Sequence, residues 1–335
     1  YAAAAIAIVA VVAAARAADT PAKNRTTPWI SSSNASYVSL PRIVKEYAHD
    51  SGAFTQGLVF GADGALYESD GLYRKSRVRR VELDTGKTLA KNLNANEHFG
   101  EGLAAIGEKL YQLTWREGAM HEYDTKTLRR LSTRAQPFHG EGWGLAYDET
   151  TGLAYGTDGT HRVHVLRPAH NWAALHVLRV KDERLGGTLI EGLNELEMVE
   201  GELWANVLPL RYHKASPCVG LRRRHMRRLR RQYLNTQVAR IDINTGVVLG
   251  WVDLSALRDK QSSRVRRQPH HFVTNGIAYR RAPGRPQLLA TGKQWDSMFD
   301  IDLETSNLGP DHVRSRCDLY LSPTNSHRSS SFFPH

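Results

Sequence analysis

The chain has 335 residues, 41% hydrophobic and 24% charged, with a formal net charge of +11. That balance excludes a disordered or fibrous chain and leaves enough length for one large all-β domain or two ordinary ones. The charge is concentrated: nine Lys and Arg residues and no acidic ones lie between Leu208 and Asn235, so the rest of the chain is near +2 and no nucleic-acid-binding face is expected.

Tyr1 to Ala15 is an apolar run that ends in Ala15-Arg16-Ala17, the pattern of a secretory signal and its cleavage site. Residues 1–18 are therefore expected to be a signal peptide or the remnant of an N-terminal anchor, although the run is short for spanning a bilayer. Residues 19–39 read as a polar linker with two glycosylation sequons, at Asn24 and Asn34. Together these features point to the secretory pathway: endoplasmic reticulum, Golgi, vacuole or extracellular space. Two cysteines, Cys218 and Cys317, define no disulfide framework, and no cluster of cysteine or histidine has zinc-site spacing.

From residue 40 the chain repeats. "FTQGLVFGADGALYES" from Phe54, "FGEGLAAIGEKLYQLT" from Phe99, "GWGLAYDETTGLAYGT" from Gly142, "LNELEMVEGELWANV" from Leu193 and "TNGIAYRRAPGRPQLLAT" from Thr274 share one form. Each is a short apolar strand opened by a polar or glycine residue, then a turn and a second strand, which predicts five hairpins. Most are followed by an outer pair, as in "VRRVELDTGKTLAK" from Val78 and "VARIDINTGVVLGW" from Val238. Gly57 and Gly102 are 45 residues apart, Gly102 and Gly144 42. Four strands at that period predict a five-bladed β-propeller with four-stranded antiparallel blades over residues 40–304.

The last unit has one outer strand, "MFDIDLE" from Met298, and "RIVKEY" at Arg42–Tyr47 is free to supply the other. The N- and C-terminal strands would then close the ring and remove an exposed edge. Residues 208–235 interrupt the fourth unit as a basic insertion, read as a surface loop, a basic helix or sequence from a misassigned splice junction. Residues 305–335 have no periodicity and read as a disordered tail.

The phrases "HDSGAFTQGLVF", "LYESDGLY", "HFGEGL", "YQLTW", "EGWGLAYD", "GLNELEMVEGELWANV", "NGIAY" and "TGKQW" resemble the plant-type glutaminyl cyclotransferases, across about residues 41–303. The resemblance implies a five-bladed propeller that converts N-terminal glutaminyl residues of peptides and proteins to pyroglutamyl with release of ammonia. It implies that Glu101 is the acid/base residue, and that Gln56, Asn194 and Lys293 hold the substrate amide or stabilise the oxyanion. Phe54, Trp115 and Trp143 would form the aromatic wall around the substrate side chain. No cofactor is expected for catalysis, and room for a structural cation in the central channel is left open. The chain is expected to act as a monomer on peptides with N-terminal Gln, without nucleic acid and without a membrane beyond the N-terminal anchor.

In a propeller the first strand of each blade lines the channel, so Gln56, Glu101, Trp143, Asn194 and Asn275, which hold related places in the repeat, would converge. The glycines beside Glu101 are expected to let a substrate backbone approach it. One departure from the family pattern stands out: a second tryptophan is expected shortly after "WANV", and Leu208 is there instead. Tyr212 and Tyr233 are the nearby aromatics that could fill the gap. A catalytically inactive secreted propeller acting as an interaction platform is the alternative reading.

Overall fold

The computed structural model describes residues 36–208 and 236–316. The signal-like run, Asn24, Asn34, the basic insertion beyond Leu208 with Tyr212 and Tyr233, both cysteines and the end of the tail lie outside the described residues.

The described chain is all-β, built from four-stranded antiparallel sheets that follow the sequence repeat. The first sheet holds β2 (Thr55–Phe60), β3 (Leu66–Asp70), β4 (Arg77–Val81) and β5 (Thr88–Leu93). The second holds β6 (Gly100–Ile106), β7 (Lys109–Thr114), β8 (Ala119–Asp124) and β9 (Arg130–Ala135). The third holds β10 (Leu145–Asp148), β11 (Leu153–Thr157), β12 (Arg162–Arg167) and β13 (Ala173–Arg179), followed by the short ribbon of β14 (Lys181–Asp182) and β15 (Thr188–Leu189).

The remaining strands form one eight-stranded sheet made of two four-stranded parts. One part is β16 (Leu193–Val199), β17 (Glu202–Val207), β18 (Gln237–Asp242) and β19 (Val248–Asp253). The other is β20 (Thr274–Arg280), β21 (Gln287–Gly292) and β22 (Ser297–Thr305), completed by β1 (Val38–Ala48) from the other end of the chain. As the sequence suggests, β1 runs antiparallel to β22, with Ile43 opposite Ile301. It also pairs in parallel with β19 through Val38 and Ser39, which the repeat did not foretell and which joins the two parts.

Apolar side chains alternate along the strands and fill the spaces between successive sheets. Tyr67 and Val78 of the first sheet pack with Leu103, Leu110 and Tyr123 of the second. Leu113 and Met120 pack with Leu145, Ala154 and Leu166 of the third. Tyr155 and Val163 meet Leu196, Leu203 and Trp251. Leu289 and Met298 meet Leu58 and Leu66 of the first sheet again. The first strands touch in the same order, β2 with β6, β6 with β10, β10 with β16, β16 with β20 and β20 with β2.

Two expectations need correction. The tail is ordered at its start: the Ser306 hydroxyl donates to the Val38 carbonyl, and the helix α1 (Pro310–Arg316) buries Val313 in the same apolar cluster as Trp251. One buried side chain without periodicity is invisible to a pattern search, which is why the segment reads as disordered. The glycines beside Glu101 serve the fold rather than a ligand. A Cβ on Gly102 would lie 2.4 Å from the Leu145 nitrogen, and one on Gly100 2.4 Å from Nε2 of Gln112. Similarly, a Cβ on Gly57 would lie 2.6 Å from the Leu103 nitrogen and one on Gly144 2.0 Å from the Asn194 carbonyl oxygen. Glycine at Gly57, Gly102 and Gly144 lets one first strand lie against the next, while Gly100 makes room for the Gln112 side chain.

Candidate active site

Four of the five first strands carry a β-bulge at the same place. The pairing register shifts between Thr55 and Gly57, between Gly100 and Leu103, between Leu193 and Leu196 and between Thr274 and Ile277. The residues inside those shifts include Gln56, Glu101, Asn194 and Asn275. A bulge takes a residue out of the ladder and re-aims its side chain, so the polar groups are presented by backbone irregularity in otherwise regular sheets.

Three of these side chains form a directed chain. Asn275 Nδ2 donates to the Thr55 carbonyl at 2.9 Å and to Gln56 Oε1 at 3.0 Å, and Gln56 Nε2 donates to Glu101 Oε1 at 2.9 Å. A backbone carbonyl can only accept, so Thr55 fixes which end of the Asn275 amide faces it. That choice fixes the Gln56 amide in turn, with its NH2 toward Glu101. Asn194 is buried, and its Oδ1 has no hydrogen-bond partner among the described residues; the same is true of Asn275 Oδ1. Buried amide oxygens left open in this way are acceptors for a bound donor.

Lys293 follows the end of β21 as Trp115 follows the end of β7, and only 2% of it is exposed. Its Nζ lies 4.8 Å from the centroid of Phe54, which precedes β2. Burial pulls the ammonium down to about 8, against the opposing charge of Glu101. Burial also pushes the Glu101 carboxyl well above the usual carboxylate range; Lys293 opposes this while Glu141 and Glu117 reinforce it. Acid and base are thus both shifted toward neutrality, so that a proton can be taken and returned at modest cost.

The aromatic residues collect on one side. Phe54, Phe99 and Trp115 form a buried cluster with Trp143 and Leu72 packed against it. Phe54 and Phe99 meet edge-on at 6.2 Å, Phe99 and Trp115 lie 5.5 Å apart, and Tyr73 stands 5.4 Å from Phe99. Sequence reasoning missed the carboxylates that hold this cluster. Glu141 accepts from the indoles of both Trp115 and Trp143, and Glu117 accepts from the Tyr73 hydroxyl and the Phe99 backbone. Their signal was present in "WREG" and "GEGW", where each acid lies within two residues of a tryptophan.

A second unforeseen network lies behind Gln56. Glu68 accepts from the Thr55 hydroxyl at 2.6 Å, pairs with Arg79 and lies 3.0 Å from His49 Nε2, while His49 Nδ1 lies 2.9 Å from the Trp295 carbonyl. All of it is buried, and it ties the strand of Gln56 to the turn that carries Lys293. Among the described residues no group of three or more His, Cys, Asp or Glu is arranged to hold a metal ion.

The family model described as glutamine cyclotransferase matches residues 5–212 and 229–303. The chain belongs to that family. Glutaminyl-peptide cyclotransferase of Arabidopsis thaliana is 34% identical over 284 residues, spanning 82% of this chain and 75% of that protein. The crystal structure of Myxococcus xanthus glutaminyl cyclase matches with a TM-score of 0.64 and 30% identity, over 81% of this chain and 100% of the other. Leu208, where the resemblance led to the expectation of a tryptophan, donates its backbone N–H to the Gly192 carbonyl at 2.8 Å.

Proposed function

We propose that this chain is a glutaminyl-peptide cyclotransferase, closing the N-terminal glutamine of peptides and proteins to pyroglutamate with loss of ammonia. The observation that carries it is the buried Glu101 carboxylate, oriented by Gln56 and opposed by Lys293 beside an aromatic wall. In this reading the substrate's α-amine attacks its own side-chain amide carbon, and holding the side chain folded in the pocket supplies much of the rate. Ionised Glu101 takes the proton from the attacking nitrogen and returns it to the leaving nitrogen, so the new C–N bond forms as the old one breaks and ammonia departs. The Lys293 ammonium stabilises the oxyanion. The open Asn194 Oδ1 accepts from the substrate amide. Phe54, Trp115 and Trp143 exclude water around the reacting centre. Proton transfer and charge stabilisation come from side chains, so this chemistry calls for no cofactor.

The architecture that accompanies the reading is a five-bladed propeller, with the sheets as blades and β1 closing the ring. Its support is the cyclic contact of the five first strands and the β1–β22 pairing. The amino-terminal signal pattern and the sequons at Asn24 and Asn34 favour action in the secretory pathway. The test is direct: incubate the folded protein with a Gln-initiated peptide, follow ammonia release, and read the mass of the product. A Gln-to-Glu-initiated control peptide should be inert. Absence of ammonia release from the Gln peptide, with the fold intact by circular dichroism, would exclude the activity and leave the inactive-platform reading.

A further inference from the structure

Glu141 lies in the turn between β9 and β10, two residues before Trp143. The turn is pinned: the Gly142 N–H donates to the Trp115 carbonyl at 2.8 Å, and a Cβ at Gly142 would lie 2.5 Å from the Thr114 carbonyl oxygen. This brings the Glu141 carboxylate between two indoles from different sheets. Its Oε2 accepts from Trp115 Nε1 at 2.7 Å and from Trp143 Nε1 at 3.0 Å. Its Oε1 accepts from Arg116 Nε at 3.0 Å, and the Arg116 guanidinium lies 3.7 Å over the Trp115 ring. An indole has one N–H donor in the plane of its ring, so a shared acceptor fixes both ring orientations at once. The Arg116–Glu141 pair is 36% and 31% exposed in its side chains, where an ion pair contributes little to stability. What the carboxylate contributes is therefore chiefly its hold on the two indoles rather than the ion pair.

We infer that Glu141 is a positioning residue that locks the two tryptophans of the pocket wall in the orientation that encloses the substrate's side-chain amide. The inference rests on the cyclotransferase reading for its consequence, though the clamp itself does not. Glu141 does not touch the reacting atoms; it acts through the indoles and through its charge. The charged and polar groups facing Glu101 are Lys293, Gln56, Glu117 and Glu141, so removing the Glu141 charge takes away one influence that holds Glu101 upward.

The experiment compares wild type, Glu141→Ala and Glu141→Gln, each also in a Trp143→Phe background, by steady-state kinetics on a Gln-initiated peptide, tryptophan fluorescence and thermal melting. Losing a hydrogen bond to a charged group should lower kcat/KM by about tenfold to a hundredfold in Glu141→Ala, through KM more than kcat, with a near-wild-type melt. The loss should shrink in the Trp143→Phe background, because the two residues act as a unit. Glu141→Gln keeps an acceptor and should retain more of the KM, yet its lower pH limb should move to lower pH. The emission maximum should shift red in Glu141→Ala. Unchanged KM and fluorescence in Glu141→Ala, or an equal loss with and without the Trp143 indole, would overturn the inference. Should Glu141→Ala fail to fold, Glu141→Gln and its Trp143→Phe pair decide by the same comparison. An inactive wild type with an intact fluorescence response would sink the cyclotransferase reading and leave the clamp standing.

Discussion

Gln56 and Glu101 come from adjacent sheets, 45 residues apart, and are joined by a 2.9 Å hydrogen bond whose direction is dictated by a third amide, that of Asn275. One carboxylate oxygen, Oε1, is thereby held by the Gln56 amide. Replacing Glu101 by Gln should keep the packing and lose turnover by about 10²–10⁴-fold, the usual range for a general acid–base group. Ammonia release measured beside a thermal melt separates the two effects.

The same substitution should alter the pH dependence of stability. A carboxyl whose pKa is raised on folding holds its proton longer in the native state, so its contribution falls as pH rises from the ordinary carboxylate range through the raised value. Glu101→Gln should therefore be more stable than wild type above that window and indistinguishable below it. Urea titrations at several pH values check this, and equal curves would show that Glu101 is not desolvated in solution.

Lys293 has the opposite sign. It titrates near 8 rather than 10.5, so burying the cation costs stability at neutral pH, and that cost fades as pH climbs from about 8 to about 10.5. If the ammonium stabilises the oxyanion, kcat should decline above pH 8. Lys293→Met should be more stable than wild type at pH 7 and nearly inactive. A rate that keeps rising above pH 9 would remove the cation from the mechanism.

Gly144→Ala should destabilise by about 1–3 kcal/mol, the ordinary penalty for overpacking. The added Cβ would press on the Asn194 carbonyl oxygen, so activity should fall with stability. Gly152→Ala, at a turn with positive φ and open surroundings, is the comparison: it should cost stability through backbone strain and leave kcat unchanged.

The basic insertion joins two strands that are already paired, with Asn206 opposite Val238 at the open end of the β17–β18 ladder. Replacing residues 209–235 by a four-residue turn should preserve the fold and shift stability by no more than about 2 kcal/mol, since loop-closure entropy varies slowly with length. Any binding to heparin, measured at two salt concentrations, should disappear with the nine basic residues. Failure of the deleted chain to fold would mean that the segment contributes to a sheet.

The repeat made most of the fold readable. Hairpin phrases locate the first strand of each sheet, and of the five residues that hold related places in the repeat, Gln56, Glu101, Trp143, Asn194 and Asn275, hydrogen bonds join Gln56, Glu101 and Asn275. What the sequence concealed is contact between distant segments. His49 reaches the Trp295 carbonyl across 246 positions, and nothing near His49 announces it. The glycines around Glu101 were misread because a small residue makes room equally for a ligand and for another strand. Glu141 was passed over because a carboxylate in a glycine-rich turn ordinarily faces water.

The strand that begins the described fold has its partner at the far end of the chain, since β1 is the neighbour of β22. A ribosome therefore releases β1 long before the strand that will hold it exists. Until Ser297–Thr305 emerges, the nascent chain carries an unpaired strand edge and an uncovered apolar face. Pairings of such long range form late and slowly, so folding should finish only after synthesis does. A message truncated between Lys293 and Ser297 would yield a chain with every site residue present but without the strand that pairs with β1, and such chains would be natural clients of chaperones and proteases.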